Sequence, residues 1–341
     1  MQNYGIIPIA PSTDVSDYFK NVTKGLEGNN FLCIFALEMQ ASTKNKKAMR
    51  HFMTSFLMVA IMACIATTVR AEGDESQYQL KTGDLTMTID ISKGGKILSL
   101  KHKDAEVISQ SRFPESFGST FWTSPQKEWN WPPVPEYDKM PYTVVERSEG
   151  KLAIKSQVSE RLKYQIGKEF TIDDKSHAIV VNYTIRNEAG ETRQVAPWEI
   201  TRVPNDGGII FFDAPIDDIT PAGLMTFKEQ YGAVWYQTDA TNEDRKINAN
   251  GHGWLAYCNN GLLLVKQFED LDASAPAPGE AEIQVYVNRG KTYIELESQG
   301  AYTKLEPGQQ LSWTVRWYLV PVADEARPSA KLMKNVKKLI K

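Results

Sequence analysis

A succession of short strand patterns, separated by turn residues, constrains the fold more than any other feature of this chain. The segment "DLTMTIDIS" (84–92) places Leu85, Met87, Ile89 and Ile91 on one face, with the two-residue period of a half-buried strand. Similar runs continue as far as "QLSWTVRWYLV", and turns such as "DDKS" and "EPGQ" divide them. No long helical period lies between them, as a parallel βαβ sheet would require. The pattern predicts an all-β fold, a large antiparallel β-sandwich over residues 75–325.

The last residues have a different period. The segment "PSAKLMKNVKKLIK" places Leu332, Val336, Leu339 and Ile340 on one helical face, surrounded by lysines. We therefore predict a short amphipathic helix within residues 326–341. Such a tail is usually docked on its own domain, and a helix lying on a membrane surface is the alternative.

Residues 49–71, "MRHFMTSFLMVAIMACIATTVRA", have the composition of a secretory signal peptide: a basic start, an apolar stretch and a small residue, Ala71, at the end. Because a signal peptide starts a protein, Met49 is the expected start, and residues 1–48 are expected to be a mis-called, disordered extension. This predicts an exported, periplasmic protein whose mature chain has no transmembrane span. A genuine membrane span and a lipid anchor at Cys64 are the alternatives.

Composition limits the classes of partner. The chain is 42% hydrophobic and 24% charged, as in globular proteins, and its net charge is −3. This acidic balance disfavours nucleic-acid binding. Only Cys258 follows the predicted signal peptide, which excludes a disulfide within the mature chain and a cysteine-rich metal site. We found no nucleotide, metalloprotease or serine-hydrolase motif, and we therefore expect neither a cofactor nor a metal.

The segment "FWTSPQKEWNWPP" (121–133) carries three of the eight tryptophans, Trp122, Trp129 and Trp131, in what reads as a loop. Aromatic rings cover the apolar faces of sugars, while amides and carboxylates beside them bind hydroxyl groups. Large rings also hold a long irregular loop on its domain. We predict that at least one of the three has this anchoring role and that at least one other faces a carbohydrate, either a mono- or an oligosaccharide.

The segment "APWEITRV" (196–203) repeats the combination with Trp198, Glu199 and Arg202. Side chains alternate along a strand, so Trp198 and Arg202 share one face and Glu199 takes the other. In a regular strand, Trp198 and Arg202 are the ligand-binding pair. A bulge after Pro197 would bring Glu199 to the same side.

Two further segments carry a family resemblance. "GGKILSLKHKDAEVI" and "YIELESQGAYTKLEPGQQLSWTVRWYLVP" resemble the opening and closing segments of the galactose mutarotase-like (aldose 1-epimerase-like) superfamily. The tryptophan-rich stretch and "APWEITRV" are similar to a Bacteroidetes-type branch of it, the domain of unknown function DUF4380. The resemblance covers most of residues 80–321 and implies a large sandwich whose concave sheet binds a sugar.

The resemblance also implies roles for single residues. In aldose epimerases a glutamate takes the proton of the anomeric hydroxyl and a histidine protonates the ring oxygen. Glu297 matches the position of the glutamate, and Glu295, two residues earlier, faces the same side of the strand as a further ligand-binding carboxylate. The histidine motif of the family is missing, and His252, flanked by Gly251 and Gly253, is the candidate acid.

Three functions remain open from the sequence. The first is an exported carbohydrate-binding protein that acts on or binds a free sugar. The second is an aldose 1-epimerase, an isomerase that interconverts sugar anomers by general acid–base catalysis. The third is a non-catalytic structural or interaction protein, which would bury all three loop tryptophans and leave no cavity beside Glu297.

Overall fold

The computed structural model describes residues 76–112, 116–239, 243–290, 292–323 and 326–341. These residues form two ten-stranded sheets in which all neighbouring strands pair antiparallel. The predicted all-β sandwich is confirmed. The extension over residues 1–48, the signal peptide over residues 49–71 and the lipidation site at Cys64 lie outside the described residues and stay predictions.

The first sheet carries the candidate site. Its strands run in the order β1-β2-β3-β5-β10-β18-β17-β14, with β4 beside β3 and β19 beside β10. Their bounds are β1 Gln77–Thr82, β2 Leu85–Asp90, β3 Lys96–His102, β4 Ala105–Glu106, β5 Ser119–Ser124, β10 Arg193–Val203, β14 Arg245–Ala249, β17 Ile283–Val287, β18 Ile294–Gln299 and β19 Thr303–Leu305.

The second sheet supports the first from behind. Its order is β12-β13-β11-β15-β16-β20-β9-β8-β7-β6. The bounds are β6 Thr143–Ser148, β7 Lys151–Lys155, β8 Tyr164–Asp173, β9 Ala178–Asn187, β11 Ile209–Phe212, β12 Phe227–Gln230, β13 Ala233–Gln237, β15 Trp254–Asn259, β16 Leu262–Gln267 and β20 Gln310–Pro321.

The main hydrophobic core lies between the sheets. Phe121 of β5 stacks on Tyr183 of β9 with their ring centroids 4.2 Å apart, which marks the face of each sheet that points inward. Leu85, Met87 and Ile89 are buried in this core, as the alternation in β2 predicts. Every second side chain of the first sheet therefore points away from the core, onto a face that the second sheet does not cover. We call this the open face.

The described residues also include two α-helices, α1 (Pro135–Asp138) and α2 (Ala330–Leu339), and two short 3-10 helices, Gln126–Glu128 and Ile216–Asp218. The side chain of Ser329 caps α2 by accepting a hydrogen bond from the backbone N–H of Leu332. Leu332, Met333 and Val336 are buried against the outer face of the second sheet. The predicted C-terminal helix is thus present, and its apolar side covers its own domain. Within the described ranges, no helix is long and apolar enough to cross a membrane.

Candidate functional site

Strand pairing brings distant residues into rows on the open face. Side chains of directly paired residues in antiparallel strands lie on the same face of a sheet. In β10, β18, β17 and β14, one such row is Arg202, Glu295, Tyr286 and Lys246, and the next is Ile200, Glu297, Gln284 and Asn248. Trp198 pairs with Trp122 of β5 on the same face. Ionisable and aromatic groups from five strands therefore meet on one surface.

A cavity of about 470 Å³ opens above these rows. This volume is typical of sites for small ligands. We call it the tryptophan cavity. Its described lining consists of Ser116, Trp122, Gln126, Trp131, Trp198, Asp244, Lys246, Tyr286, Asn288, Arg289, Tyr293, Glu295 and Glu297. Of the residues predicted to form the site, five lie together here: Trp122, Trp131, Trp198, Glu295 and Glu297.

Glu297 is buried on the cavity floor. Its Oε2 accepts hydrogen bonds from Trp198 Nε1 at 2.8 Å and from Lys246 Nζ at 2.9 Å, while Oε1 has no partner among the described residues. Burial raises the pKa of this carboxyl to about 7, Lys246 opposes the shift, and the neighbouring Glu295 adds to it. Near neutral pH the group can therefore both bind and release a proton.

Glu295 lies in a different electrostatic environment on the same strand. Arg202, which is itself fully buried, forms an ion pair with it at 2.7 Å. The Arg202 guanidinium also lies over the ring of Tyr293, 5.5 Å from its centroid, and donates to the carbonyl of Phe117 at 3.2 Å. Arg202 is not itself a lining residue of the tryptophan cavity, and it reaches the cavity through Glu295 and Tyr293.

The three loop tryptophans have different surroundings. Trp129 is 2% exposed and packs edge-on against Trp122 with centroids 5.5 Å apart, whereas Trp131 is 63% exposed. Trp122 and Trp131 line the cavity and Trp129 does not. A purely structural protein, as hypothesised from the sequence, would bury all three and leave no cavity, and the structure has both a cavity and an exposed Trp131.

Hydrogen bonds hold the loop in place around Trp129. Trp129 Nε1 donates to the carbonyl of Thr123 at 2.8 Å, and Arg161 Nη1 donates to the carbonyl of Trp129 at 2.8 Å. At the start of the loop, the N–H of Gln126 donates to Glu280 Oε1 at 3.2 Å. Because both ends of residues 126–129 are bonded to the domain, Trp129 is held in place against Trp122, one of the rings that line the cavity.

Asp138, at the end of α1, fixes the orientation of Trp122. Trp122 Nε1 and Thr120 Oγ1 donate to its Oδ1 at 2.9 and 2.8 Å, and Lys96 Nζ lies 2.9 Å from Oδ2. Burial opposes ionisation of Asp138, but the Lys96 ammonium and these hydrogen bonds hold its pKa below the usual range. Gly94 allows this arrangement because a Cβ there would lie 2.5 Å from the backbone of Asp138.

Glu199 does not line the cavity. The strand is regular around Pro197, so Glu199 points between the sheets, where Lys266 of β16 forms an ion pair with it. Ser119 Oγ and Thr201 Oγ1 donate to its Oε1 at 2.5 Å each. The conditional prediction for a regular strand, with Trp198 and Arg202 on one face and Glu199 on the other, describes the observed geometry.

His252 also lies away from Glu297. Its side chain is 52% exposed, its Nδ1 is 3.7 Å from Asp270 Oδ1, and it is not among the lining residues of the cavity. His252 therefore does not line the cavity that contains Glu297, and its role as the acid stays a prediction. The flanking glycines are a local feature, whereas the position of the imidazole depends on where β15 lies, and that strand belongs to the second sheet.

Sequence reasoning missed several groups of the site. They are Asp244, Lys246, Tyr286, Asn288, Arg289 and Tyr293. Tyr286 OH donates to Asp244 Oδ1 at 2.7 Å and the N–H of Arg289 donates to the same oxygen at 2.9 Å. Burial opposes ionisation of Asp244, yet these bonds hold its pKa below the usual range. The alternation of "IQVYVN" was the one sequence signal that could have predicted any of them, since it places Tyr286 and Asn288 on the same face of a strand.

A metal site is not formed by the residues that the structure describes, since no group of three or more His, Cys, Asp or Glu side chains among them could hold an ion. The arrangement instead offers aromatic faces, three carboxylates, two amides and two cations. These groups suit a polyhydroxylated ligand, and one of them, Glu297, titrates near neutral pH.

Comparisons with known proteins identify solved structures with a similar fold. No family model matches the sequence, and no curated protein matches it. Among solved structures, a candidate aldose 1-epimerase from Escherichia coli K12 is similar with a TM-score of 0.54 and 12% identity, over 72% of this chain and 99% of that one. A galactose mutarotase-like protein from Lactobacillus casei has a TM-score of 0.52 and 12% identity, over 72% and 100%.

A galactose mutarotase related enzyme from Lactobacillus acidophilus is similar to the same degree, with a TM-score of 0.51 and 12% identity over 74% of this chain and 100% of that chain. Identities this low establish likeness of fold and nothing finer. The resemblance noted in the sequence is confirmed at that level: the chain has the architecture of galactose mutarotase-like and aldose 1-epimerase-like proteins.

Proposed function

We propose that this protein binds a carbohydrate in the tryptophan cavity. The observation that carries the proposal is the combination, around one cavity of about 470 Å³, of aromatic rings with a buried carboxyl whose pKa lies near 7. The rings of Trp122, Trp131 and Trp198 supply surfaces for the C–H faces of a sugar. Glu295, Glu297 and Asn288 supply the polar groups that bind its hydroxyls.

Glu297 is the group most suited to a hydroxyl that carries a reacting proton. Its Oε2 is fixed by Trp198 and Lys246, so Oε1 is the oxygen that remains for a ligand. A ligand hydroxyl bonded to it would satisfy a buried polar atom that otherwise has no partner. Binding of a saccharide thus completes the hydrogen bonding of the floor.

Aldose 1-epimerase activity is the second candidate function, and the raised pKa of Glu297 is the observation that favours it. Opening a sugar ring also requires an acid on the other side of the ring. The other titratable groups of these rows, namely Arg202, Glu295, Tyr286 and Lys246, lie on the same face of the sheet as Glu297. Carbohydrate binding is therefore the function that the geometry supports best.

Tryptophan fluorescence provides the test of binding, since three rings line the cavity. Neutral mono- and oligosaccharides should quench or shift the emission of the wild-type protein, and the W131A variant should bind with at least tenfold lower affinity. The Y231A variant, which removes an exposed ring between β12 and β13 of the second sheet, is the matched control. Saccharides that leave the emission unchanged and give no heat on titration would contradict the proposal.

Exchange spectroscopy by NMR separates the two candidate functions. A binding protein leaves the rate of exchange between the α and β anomers of a free hexose at its uncatalysed value, whereas an epimerase accelerates it. The E297Q variant is the control, because it keeps the shape of the side chain and removes the titratable proton. Acceleration by wild type that E297Q abolishes would establish the second function.

Export and the finer family relation belong to the same proposal. The signal-like composition of residues 49–71 supports an exported, periplasmic protein, and the segments "FWTSPQKEWNWPP" and "APWEITRV" support membership of the DUF4380 branch. Mass spectrometry of the mature protein from the periplasmic fraction tests export. It would give a chain starting near Glu72, or a lipidated chain starting at Cys64.

A further inference from the structure

The tryptophan cavity continues into two others on the open face. A connecting cavity of about 130 Å³ shares Ser116, Trp122 and Trp131 with it. The connecting cavity in turn shares Asp138 and Lys139 with a third cavity of about 340 Å³. The described residues that line this third cavity, which we call the lysine cavity, are Gln77, Asp90, Lys93, Lys96, Leu98, Arg112, Phe117, Asp138 and Lys139.

All three cavities lie along the same side of the first sheet. Ile97 of β3 pairs with Ser119 of β5, whose hydroxyl points into the core, so the neighbouring Lys96 and Leu98 point to the open face. The lysine cavity extends over β1, β2 and β3, and the tryptophan cavity over β5, β10, β18, β17 and β14. Together they form one groove across the sheet, longer than a single sugar unit requires.

The two ends of this groove differ in charge. The described lining of the tryptophan cavity has three carboxylates and two cations, Lys246 and Arg289. That of the lysine cavity has four cations and two carboxylates, Asp90 and Asp138. One end is therefore acidic and aromatic, while the other end has an excess of positive charge.

Both carboxylates of the lysine cavity are already bonded to protein groups. Asp138 accepts from Thr120 and Trp122 and pairs with Lys96. Asp90 Oδ1 accepts from the N–H and the hydroxyl of Ser92 at 2.9 and 2.6 Å. They are thus oriented toward the protein, and their charge is partly satisfied there.

Two cations point toward solvent at this end. Lys93 is 61% exposed and its Nζ lies 3.8 Å from Asp90, at the outer limit of an ion pair. Arg112 is exposed, and its guanidinium lies 4.5 Å from the centroid of the Phe117 ring. A stacked guanidinium keeps its N–H groups available for anions such as carboxylates and sulfates.

We infer that the saccharide bound by this protein is acidic: an oligosaccharide of at least two units, with a neutral part in the tryptophan cavity and an anionic substituent in the lysine cavity. The inference rests on the proposed function, which it deepens by naming the ligand class. Arg112, which is stacked on Phe117, and Lys93 bind the anion. Uronate carboxylates and sulfate esters share the chemistry that this cavity recognises.

The test begins with an array of immobilised glycans in three classes: neutral, uronate-bearing and sulfated. We expect acidic glycans to be retained in preference to neutral ones, and the uronate and sulfate arms to show which anion is preferred. Titration calorimetry then compares digalacturonic acid with its neutral methyl diester, or a sulfated lactose with lactose. The acidic member should bind at least tenfold more tightly at low salt, and the difference should shrink at high salt.

Variants separate this inference from the proposed function. The double variant K93Q/R112Q should lose the preference for the acidic ligand and keep the affinity for the neutral one. Both side chains are exposed, so its fold should be intact. K175Q/K228Q, which removes the same charge from exposed positions in the turn between β8 and β9 and on β12, should behave as wild type.

Three outcomes distinguish the anionic ligand class from carbohydrate binding itself. The inference is supported if K93Q/R112Q loses the preference for acidic ligands while K175Q/K228Q keeps it. Equal binding of neutral and acidic members, unaffected by K93Q/R112Q, overturns the anionic ligand class and leaves carbohydrate binding intact. Failure of all three glycan classes to bind overturns both the inference and the proposed function, and the tryptophan fluorescence of the wild-type protein then shows no ligand-dependent change either.

Discussion

Two carboxylate–lysine pairs lie nearly back to back on opposite faces of the first sheet. Glu199 pairs with Lys266 between the sheets, where both side chains are fully buried. Glu297 pairs with Lys246 on the open face, where the lysine side chain is 34% exposed. The second sheet covers the Glu199–Lys266 pair, whereas the Glu297–Lys246 pair lines a cavity large enough for a small ligand.

The comparison shows that a carboxylate–lysine pair stabilises the fold on one face of the sheet and belongs to the candidate site on the other. Oε1 of Glu199 accepts hydrogen bonds from Ser119 and Thr201, and Oε2 is ion-paired with Lys266 between the sheets, where no ligand can reach it. Glu297 has donors for one oxygen only, and its pKa is raised to about 7 by burial. A buried ion pair marks a candidate site only when one of its atoms is unsatisfied and reachable from a cavity.

The largest expected effect on stability comes from removing one partner of the buried Glu199–Lys266 pair. Replacing Lys266 by methionine leaves the Glu199 charge buried without its cation, which should lower the free energy of unfolding by about 3–5 kcal/mol. K246M, on the partly exposed side, should cost about 1 kcal/mol or less because water reaches the site. Urea denaturation followed by circular dichroism measures both. Equal losses in the two variants would show that the faces do not differ in this way.

The double variant E199L/K266M serves as the control for that comparison. If the loss in K266M comes from the unpaired charge, removing both groups should restore much of the stability, since apolar replacement of a buried pair is often neutral or stabilising. A double variant as unstable as K266M would point to a packing defect instead.

Within the loop, Trp129 and Trp131 provide the next largest contrast. W129A removes a buried ring and should destabilise the protein by about 3–5 kcal/mol. W131A removes an exposed ring and should change stability by about 0.5 kcal/mol or less, while it weakens saccharide binding. Thermal unfolding and ligand titration of both variants test this. A stable W129A or an unfolded W131A would contradict the division between anchor and ligand surface.

The pH dependence of stability should identify Glu297. Its pKa is raised from 4.5 in the unfolded chain to about 7 in the folded protein, so the folded state holds an extra proton between these values. The stabilisation associated with this group is therefore complete below pH 4.5 and is lost as pH rises through 7, by about 3 kcal/mol. E297Q should lack this component. Urea midpoints measured from pH 4.5 to 8 for both proteins make the comparison, and identical pH profiles would be incompatible with a raised pKa.

A smaller effect is expected at Lys246. Its ammonium lies 2.9 Å from Glu297 Oε2 and opposes the rise of that pKa. In K246M the pKa of Glu297 should therefore increase further, by roughly one unit. The carboxylic-acid C=O stretch in infrared difference spectra, followed against pH, measures it. A fall in the pKa would mean that Lys246 is not the compensating charge.

Much of the fold could be predicted from local patterns, and part of the site with it. Alternation along β10 decides that Trp198 and Arg202 share a face while Glu199 takes the other. The two-residue spacing of Glu295 and Glu297 likewise puts both carboxylates on one side. These conclusions need only the geometry of a single strand.

The remainder of the site depends on which strands are neighbours. Lys246 meets Glu297 because β14 pairs with β17 and β17 with β18, and none of these pairings is visible in the residues around Lys246. The position of His252 outside the cavity could not be predicted for the same reason, since its flanking glycines do not indicate the sheet to which the next strand belongs. Residues that meet through non-local strand pairing therefore could not be predicted from local sequence patterns, whereas residues that share one strand could.

The docking of α2 has a practical consequence for any surface-based measurement. The helix covers the outer side of the second sheet, and the groove opens on the far side of the first. The sandwich thus separates the last turn of the chain from the groove by its full thickness. A sensor chip or bead that captures the protein through Lys341 would hold the groove facing outward, so that soluble glycans reach it without obstruction by the support.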